Sequence, residues 1–121
     1  MYVTGIDIIE IGRVRQAVAR WNSRFTGRVY TPAELQLCRG RIPELAARFA
    51  GKEAVMKALG TGVRGINWRD IEILSLPSGK PQVQLNHRAK HKAQELGVSR
   101  LEISLSHSRE YAIATVVGGT V

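Results

Sequence analysis

Residues 43–59 read PELAARFAGKEAVMKAL, and this stretch predicts a long helix. Pro43 suits the first helical turn, where its missing N–H donor is not needed. Gly60-Thr61-Gly62 follows directly and ends the helix, because glycine readily adopts the left-handed conformation found after helix C-termini. The helix is therefore expected to run to about Leu59.

Glu53 lies in the middle of the apolar face of this helix. At about 100° per residue, its neighbours are Ala46, Phe49, Ala50, Met56 and Lys57, whereas the other side carries Glu44, Arg48 and Lys52. A carboxylate on an apolar face costs free energy unless something pairs with it. Either Glu53 forms a partly buried ion pair with Lys57 one turn later, or it faces a cleft and binds a cation while Lys57 meets an anion.

Asp7 interrupts a β-rich, mostly apolar segment, residues 3–9, that predicts a strand. It shares a strand face with Gly5, which would let another backbone or a ligand approach closely. Aspartate is disfavoured within strands. It either caps the helix that follows or forms an oxygen-ligand site with Glu53. Magnesium suits such a site, since it takes one or two protein carboxylates, waters and substrate phosphates.

A helical period begins at Glu10 and continues to Phe25. The apolar positions are Ile11, Val14, Val18, Trp21 and Phe25, and the opposite face carries Arg13, Gln16, Arg20 and Arg24. This arginine stripe is either a solvated face or a surface that meets carboxylates and phosphates, which arginine binds well.

The remaining elements alternate without a strict β-α-β order. Thr31, Pro32 and Glu34 predict a capped short helix that ends near Arg39-Gly40. Strands are predicted at 71–76, 82–85, 101–106 and 111–117, and a helix capped by Asn86 is predicted to end at Leu96. The expected fold is α+β, an antiparallel sheet packed with helices, in one domain over residues 1–121.

The composition favours a globular protein with an anionic partner. The net charge is +8, and 44% of the residues are hydrophobic. A single cysteine, Cys38, excludes a disulfide framework and is expected to pack in the core. No signal peptide or membrane-spanning stretch is visible, so a cytoplasmic location away from membranes is expected.

A nucleic-acid-binding module is the main rival interpretation, supported by the charge and the arginine stripe. Aromatic residues form only 6% of the chain, and no recognition motif is evident, so no nucleic-acid partner is expected. A noncatalytic scaffold subunit that binds an acidic partner is a third interpretation. Both alternatives leave Asp7 and Glu53 without a role.

Three blocks of the chain together resemble the small bacterial 4′-phosphopantetheinyl transferases. The blocks are Gly5-Ile6-Asp7-Ile8, the segment from Arg48 to Gly62, and Ser104-Leu105-Ser106-His107-Ser108. Their order and spacing fit that family over nearly the whole chain. The resemblance implies transfer of phosphopantetheine from coenzyme A to a serine of an acyl carrier protein in fatty acid biosynthesis.

The resemblance also implies a role for each candidate residue. Asp7 and Glu53 would ligate Mg²⁺, and Lys57 would contact the phosphates of coenzyme A and assist the leaving group. Either Glu53 or a water that it orients would take the serine proton. The other coenzyme A contacts would come from Arg48, Gly60, Gly62 and His107. An acidic carrier protein would dock on Arg13, Arg20 and Arg24.

The chain is half the size of the larger family members. The same resemblance therefore implies a homotrimer with active sites between subunits. His107 would then serve the active site of a neighbouring subunit. Larger relatives carry a third acid where this chain has Ile9, so water would fill that metal position. Gly51 stands where alanine is frequent.

Overall fold

The computed structural model describes residues 1–120 as ten main elements. In chain order they are β1 (Tyr2–Glu10), α1 (Ile11–Trp21), α2 (Ser23–Val29), α3 (Pro32–Cys38), α4 (Ile42–Ala58), β2 (Ile71–Ser75), β3 (Pro81–Leu85), α5 (His87–Leu96), β4 (Arg100–His107) and β5 (Tyr111–Gly119). A 3₁₀ helix, Trp68–Asp70, precedes β2. The α+β class is confirmed.

The strands form two antiparallel sheets, where the sequence predicted one. One sheet has the order β1-β5-β4, and the other is the β2-β3 hairpin. Side chains of β3, α5 and β4 line a shared cavity of ≈ 500 Å³. The helix that connects β3 to β4 therefore contributes side chains between these two strands, whose facing edges do not form a ladder.

One helix boundary and one side-chain cap differ from the prediction. The helix expected through Phe25 ends at Trp21, and Asn22 adopts φ 47° and ψ −126° before α2 begins. Asparagine tolerates positive φ better than most residues. The expected side-chain cap by Asn86 is also absent. Its main-chain carbonyl instead accepts from the N–H of Ala89 at 3.1 Å.

The capping box of α3 is confirmed. The Thr31 hydroxyl accepts from the Glu34 N–H at 3.2 Å, and the Glu34 carboxylate accepts from the Thr31 N–H at 2.9 Å. Cys38, at the end of this helix, is fully buried. Within residues 1–120, no helix is long and apolar enough to cross a bilayer.

Gly5 allows β1 to lie directly on α4. A Cβ atom at this position would overlap the carbonyl oxygen of Ala54 and lie 3.0 Å from the backbone nitrogen of Ala58. Neither obstacle is a flexible side chain that can move aside. The close approach expected from the sequence is therefore made by helix backbone, and it places the Asp7 strand against the Glu53 helix.

Substituting Gly5→Ala is expected to destabilise the fold by about 1–3 kcal/mol, the usual cost of overpacking. Urea denaturation followed by circular dichroism measures the change. Gly12→Ala is the matched control, because nothing lies within 4 Å of a Cβ atom there. Equal stability of Gly5→Ala and the wild type would contradict this explanation of the glycine.

Candidate active site

A cavity of ≈ 580 Å³ opens between β1, α1 and α4. Asp7 and Glu53 both line it, so the structure brings together the two acids that the sequence singled out. Both residues are partly buried. Their elements meet because Gly5 lets β1 approach the backbone of α4.

Lys57 pairs with Asp7, across 50 positions of sequence. Its Nζ lies 3.0 Å from Asp7 Oδ1 and 3.0 Å from the carbonyl oxygen of Ile6. The Asp7 side chain is only 13% exposed, whereas that of Lys57 is 54% exposed. The Asp7 carboxylate therefore forms an ion pair with the Lys57 ammonium at the cavity. It does not cap α1, whose N-cap residue is Glu10 and has no side-chain cap hydrogen bond.

The pKa of Glu53 is raised above its usual range. Burial is the main cause, the Asp7 carboxylate adds to it, and the Lys57 ammonium partly opposes both. Burial disfavours the charged form of the carboxylate, and the Asp7 carboxylate adds the repulsion of a second negative charge. A cation bound between Asp7 and Glu53 would offset that repulsion.

The donor set at this cavity fits magnesium. Within residues 1–120, no group of three or more histidine, cysteine or acidic side chains is positioned to hold a metal. Three acids line the cavity; Glu10 lies 3.7 Å from Arg13, and Asp7 and Glu53 are the candidate ligands, which would leave the other positions to water and phosphate. Magnesium is bound in this way in many phosphate-transfer sites.

Glu53→Gln is expected to raise the thermal stability of the metal-free protein at pH 7–8. A carboxyl whose pKa is raised by folding stabilises the fold below its unfolded pKa, and this contribution is lost as the pH rises through the folded value. Glutamine avoids the loss, so its advantage should shrink as the pH falls toward about 4. Thermal denaturation in EDTA across pH 4–8 tests this; a constant difference at all pH values would contradict it.

Arg48 and His107 line a different cavity, of ≈ 260 Å³. The Arg48 guanidinium donates to Glu44 Oε2 at 2.8 Å, and His107 Nε2 lies 3.9 Å from Glu44 Oε1. This cavity shares no lining residue with the one that holds Asp7 and Glu53. On a single chain, Arg48 and His107 are therefore separated from Asp7 and Glu53, although all four are predicted for one active site.

Gly60 and Gly62 lie in the loop after α4, with φ of +73° and +56°. These left-handed conformations favour glycine. Thr61 and Gly65 of the same loop line a cavity of ≈ 660 Å³ that also has basic lining from α5. The loop follows the C-terminal end of α4. Lys57 lies in the last turn of that helix, one turn after Glu53.

The arginine stripe is exposed, which both of its interpretations require. Arg13 lines the Asp7–Glu53 cavity and lies 3.7 Å from Glu10. The Arg20 guanidinium lies 5.0 Å from the centre of the Trp21 ring. Arg24 is on α2, beyond the helix break. Arg13 therefore places one positive charge of the stripe at the cavity.

Residues 4–116 match the 4′-phosphopantetheinyl transferase superfamily. The chain belongs to this family. The resemblance drawn from the three sequence blocks is confirmed, and the family match includes Asp7, Glu53, Lys57 and His107.

Relatives named holo-[acyl-carrier-protein] synthase match over almost their full length. The protein of Dehalococcoides mccartyi is 55% identical over 117 residues, which is 97% of this chain and 98% of the relative. The protein of Herpetosiphon aurantiacus is 50% identical over 125 residues, covering 98% of each chain.

Solved structures of 4′-phosphopantetheinyl transferase relatives have the same fold. The Helicobacter pylori holo-[acyl-carrier-protein] synthase in complex with coenzyme A superposes with a TM-score of 0.88 at 35% identity, covering 96% of this chain and 99% of that one. The Bacillus anthracis synthase in complex with coenzyme A (3′,5′-ADP) gives 0.81 at 31% identity, covering 98% and 96%.

Sequence reasoning missed the aromatic wall of the cavity. Phe25 and Phe49 line it, with ring centres 6.1 Å apart, and the Trp68 ring stacks on Phe49 at 4.7 Å. The helical period identified Phe25 and Phe49 as apolar positions. It contained no signal that Trp68, in the 3₁₀ helix, would pack behind them.

Proposed function

We propose that this chain transfers the 4′-phosphopantetheine group from coenzyme A to a serine of an apo-acyl carrier protein. The products are the holo-carrier protein and adenosine 3′,5′-bisphosphate. The observation that carries the proposal is that Asp7 and Glu53 line one cavity and that Lys57 pairs with Asp7, on a fold that relatives share when bound to coenzyme A.

Asp7 and Glu53 would hold a magnesium ion, which offsets the negative charge of the pyrophosphate when it is bound. The electrostatics of the cavity support this, because burial and, to a smaller extent, the Asp7 carboxylate raise the pKa of Glu53. Lys57 would contact the same phosphates. Its ammonium group is about half exposed and needs only to exchange the Asp7 oxygen for a phosphate oxygen.

The serine hydroxyl of the carrier must lose its proton as it attacks the β-phosphate of coenzyme A. Glu53 would accept that proton directly or orient the water that does so. Lys57 would stabilise the negative charge that develops on the departing bisphosphate. The exposed Arg13, Arg20 and Arg24 would bind the acidic carrier beside the cavity.

The reaction is tested by mass spectrometry of an apo-acyl carrier protein incubated with this protein, coenzyme A and magnesium. The carrier is expected to gain about 340 Da, the mass of one phosphopantetheine arm. A carrier whose acceptor serine is replaced by alanine is the control. No gain with several apo-carriers would overturn the proposed function.

Self-association as a homotrimer is the second part of the proposal. One face of the β1-β5-β4 sheet exposes large apolar side chains: Ile6 is 56% exposed, Ile8 60% and Val117 47%. Exposed apolar patches of this kind mark interaction surfaces. A neighbouring copy that brings its Arg48 and His107 to the Asp7–Glu53 cavity would also unite the two sets of predicted residues.

Mixing two inactive variants tests the shared site. Glu53→Gln and His107→Ala are each expected to be inactive alone, but co-expression should restore activity. In a random mixture about a quarter of the sites would combine an intact Glu53 with an intact His107 from the neighbour. Wild-type protein diluted into each single variant is the control. Failure to recover activity from folded mixed oligomers would contradict a site shared between chains.

A cytoplasmic role in fatty acid biosynthesis completes the proposal. It is supported by the carrier protein named in the relatives and by a single buried cysteine, which suits a reducing compartment.

A further inference from the structure

A buried ion pair lies on the side of α4 that faces away from the cavity. Lys52 Nζ is 2.7 Å from Glu34 Oε1, and both side chains are fully buried. Lys52 immediately precedes Glu53 on the helix. The attraction within a buried ion pair is largely offset by the cost of removing both charges from water. General stability therefore does not explain this pair by itself.

The pair joins three elements to α4. Lys52 Nζ donates to the carbonyl oxygens of Ile71 at 2.6 Å and Trp68 at 3.0 Å. Glu34 Oε2 accepts from the N–H of Ile73 at 2.8 Å. The two charges thus bind the edge of β2 at alternate residues, and Lys52 also holds the 3₁₀ helix. Any rotation of α4 would break several of these bonds together.

Trp68 connects this junction to the candidate active site. Its main chain is held by Lys52, and its ring stacks on Phe49 with an interplanar angle of 22°. Phe49 lines the same cavity as Glu53, one helical turn before it. A continuous series of contacts therefore runs from Lys52 through Trp68 to the wall of the cavity.

We propose that Lys52, held by Glu34, is a positioning residue for the transfer reaction: it fixes Trp68 and the rotation of α4, and so aims Phe49 and Glu53 into the cavity. This inference rests on the proposed role of Glu53. It assigns Lys52 no contact with the substrate.

The test compares steady-state kinetics of Lys52→Met with those of Val98→Ala. Val98 is a buried residue that makes none of the hydrogen bonds of the junction and lines the cavity between β3, α5 and β4 instead of the Asp7–Glu53 cavity; its truncation also lowers stability. At a temperature where circular dichroism shows both variants folded, Lys52→Met should lose about 10–100-fold in kcat, because small misplacements of reacting groups are costly. Its KM for coenzyme A should stay near the wild-type value, and Val98→Ala should retain wild-type kcat.

The route through Trp68 is tested by a double-mutant cycle with Trp68→Leu. If Lys52 acts through Trp68, the double variant should be no slower than the slower single variant. If the fold-losses in kcat of the two single variants multiply in the double variant, the two residues act independently and the route through Trp68 is overturned. The chain has two tryptophans, so in a Trp21→Phe background the emission of Trp68 alone should shift to the red in Lys52→Met.

Wild-type kcat in folded Lys52→Met would overturn the inference and leave the pair a structural one. If Lys52→Met does not fold, Trp68→Leu decides the question. Wild-type kcat in Trp68→Leu would show that the packing of Trp68 on the cavity wall does not position the reacting groups, and would overturn the inference. Glu53→Gln is measured in the same assay. Full activity of Glu53→Gln would overturn the proposed site itself, whereas its inactivity beside a fully active Lys52→Met would overturn only the positioning role.

Discussion

Replacing Glu53 by glutamine is expected to lower kcat for carrier modification by about 10²–10⁴-fold, the usual contribution of a positioned acid–base group. Glutamine keeps the shape of the side chain but can neither accept the serine proton nor offer a negative charge to a cation. Burial and the neighbouring Asp7 carboxylate raise the pKa of Glu53, so its ionised form costs free energy that a proton or a cation would recover. Single-turnover measurement of holo-carrier formation reports the chemical step.

Glu102→Gln is the matched control for this prediction. Glu102 is an acid on β4 that pairs with Arg100 at 2.8 Å, and it lines neither the Asp7–Glu53 cavity nor the cavity beside the Gly60–Gly62 loop. Its substitution should leave kcat unchanged. Wild-type kcat in Glu53→Gln would remove Glu53 from the mechanism, and with it the proposed metal site.

Lys52→Met is expected to have the largest effect on stability, a loss of about 3–5 kcal/mol, because removing one partner strands a buried charge. The Glu34 carboxylate would remain fully buried without its cation. The carbonyl oxygens of Ile71 and Trp68 would also lose a donor. Burial lowers the pKa of the Lys52 ammonium, and the Glu34 charge opposes that shift.

Urea denaturation at fixed protein concentration measures this loss, because self-association would add a concentration-dependent term. Lys90→Met provides the control, since Lys90 lies exposed on α5 and surface substitutions usually change stability by no more than about 0.5 kcal/mol. A loss below about 1 kcal/mol for Lys52→Met would show that the pair contributes little beyond what two apolar side chains would supply.

Local patterns were read correctly where the interacting groups are close in sequence. The capping box of Thr31 and Glu34 spans three residues, and the helix of residues 43–59 depends on its own composition and on the glycines that end it. Both are confirmed. The break at Asn22 was missed, because an apolar period continues through a bend whenever both segments pack on the same core.

Long-range partners were not readable from the sequence. The helical wheel placed Lys57 beside Glu53, which suggested an ion pair within the helix, but Lys57 pairs with Asp7 from β1. Lys52 and Arg48 stood on the side away from Glu53; Lys52 had no predicted partner, and the family resemblance assigned Arg48 to coenzyme A. The structure buries both against β2, where they bind its backbone carbonyls.

The sequence by itself determined the α+β class, most of the helices and strands, the family and the unusual placing of Asp7 and Glu53 at apolar positions. These follow from periodicity, capping and motif spacing, which act over a few residues. Only the tertiary structure decided which charges meet, that the sheet is divided in two, and that Arg48 and His107 lie in a cavity apart from Glu53. Those outcomes depend on how elements distant in sequence pack. A buried charge is costly unless it is paired, and the packing determines which partner is close enough.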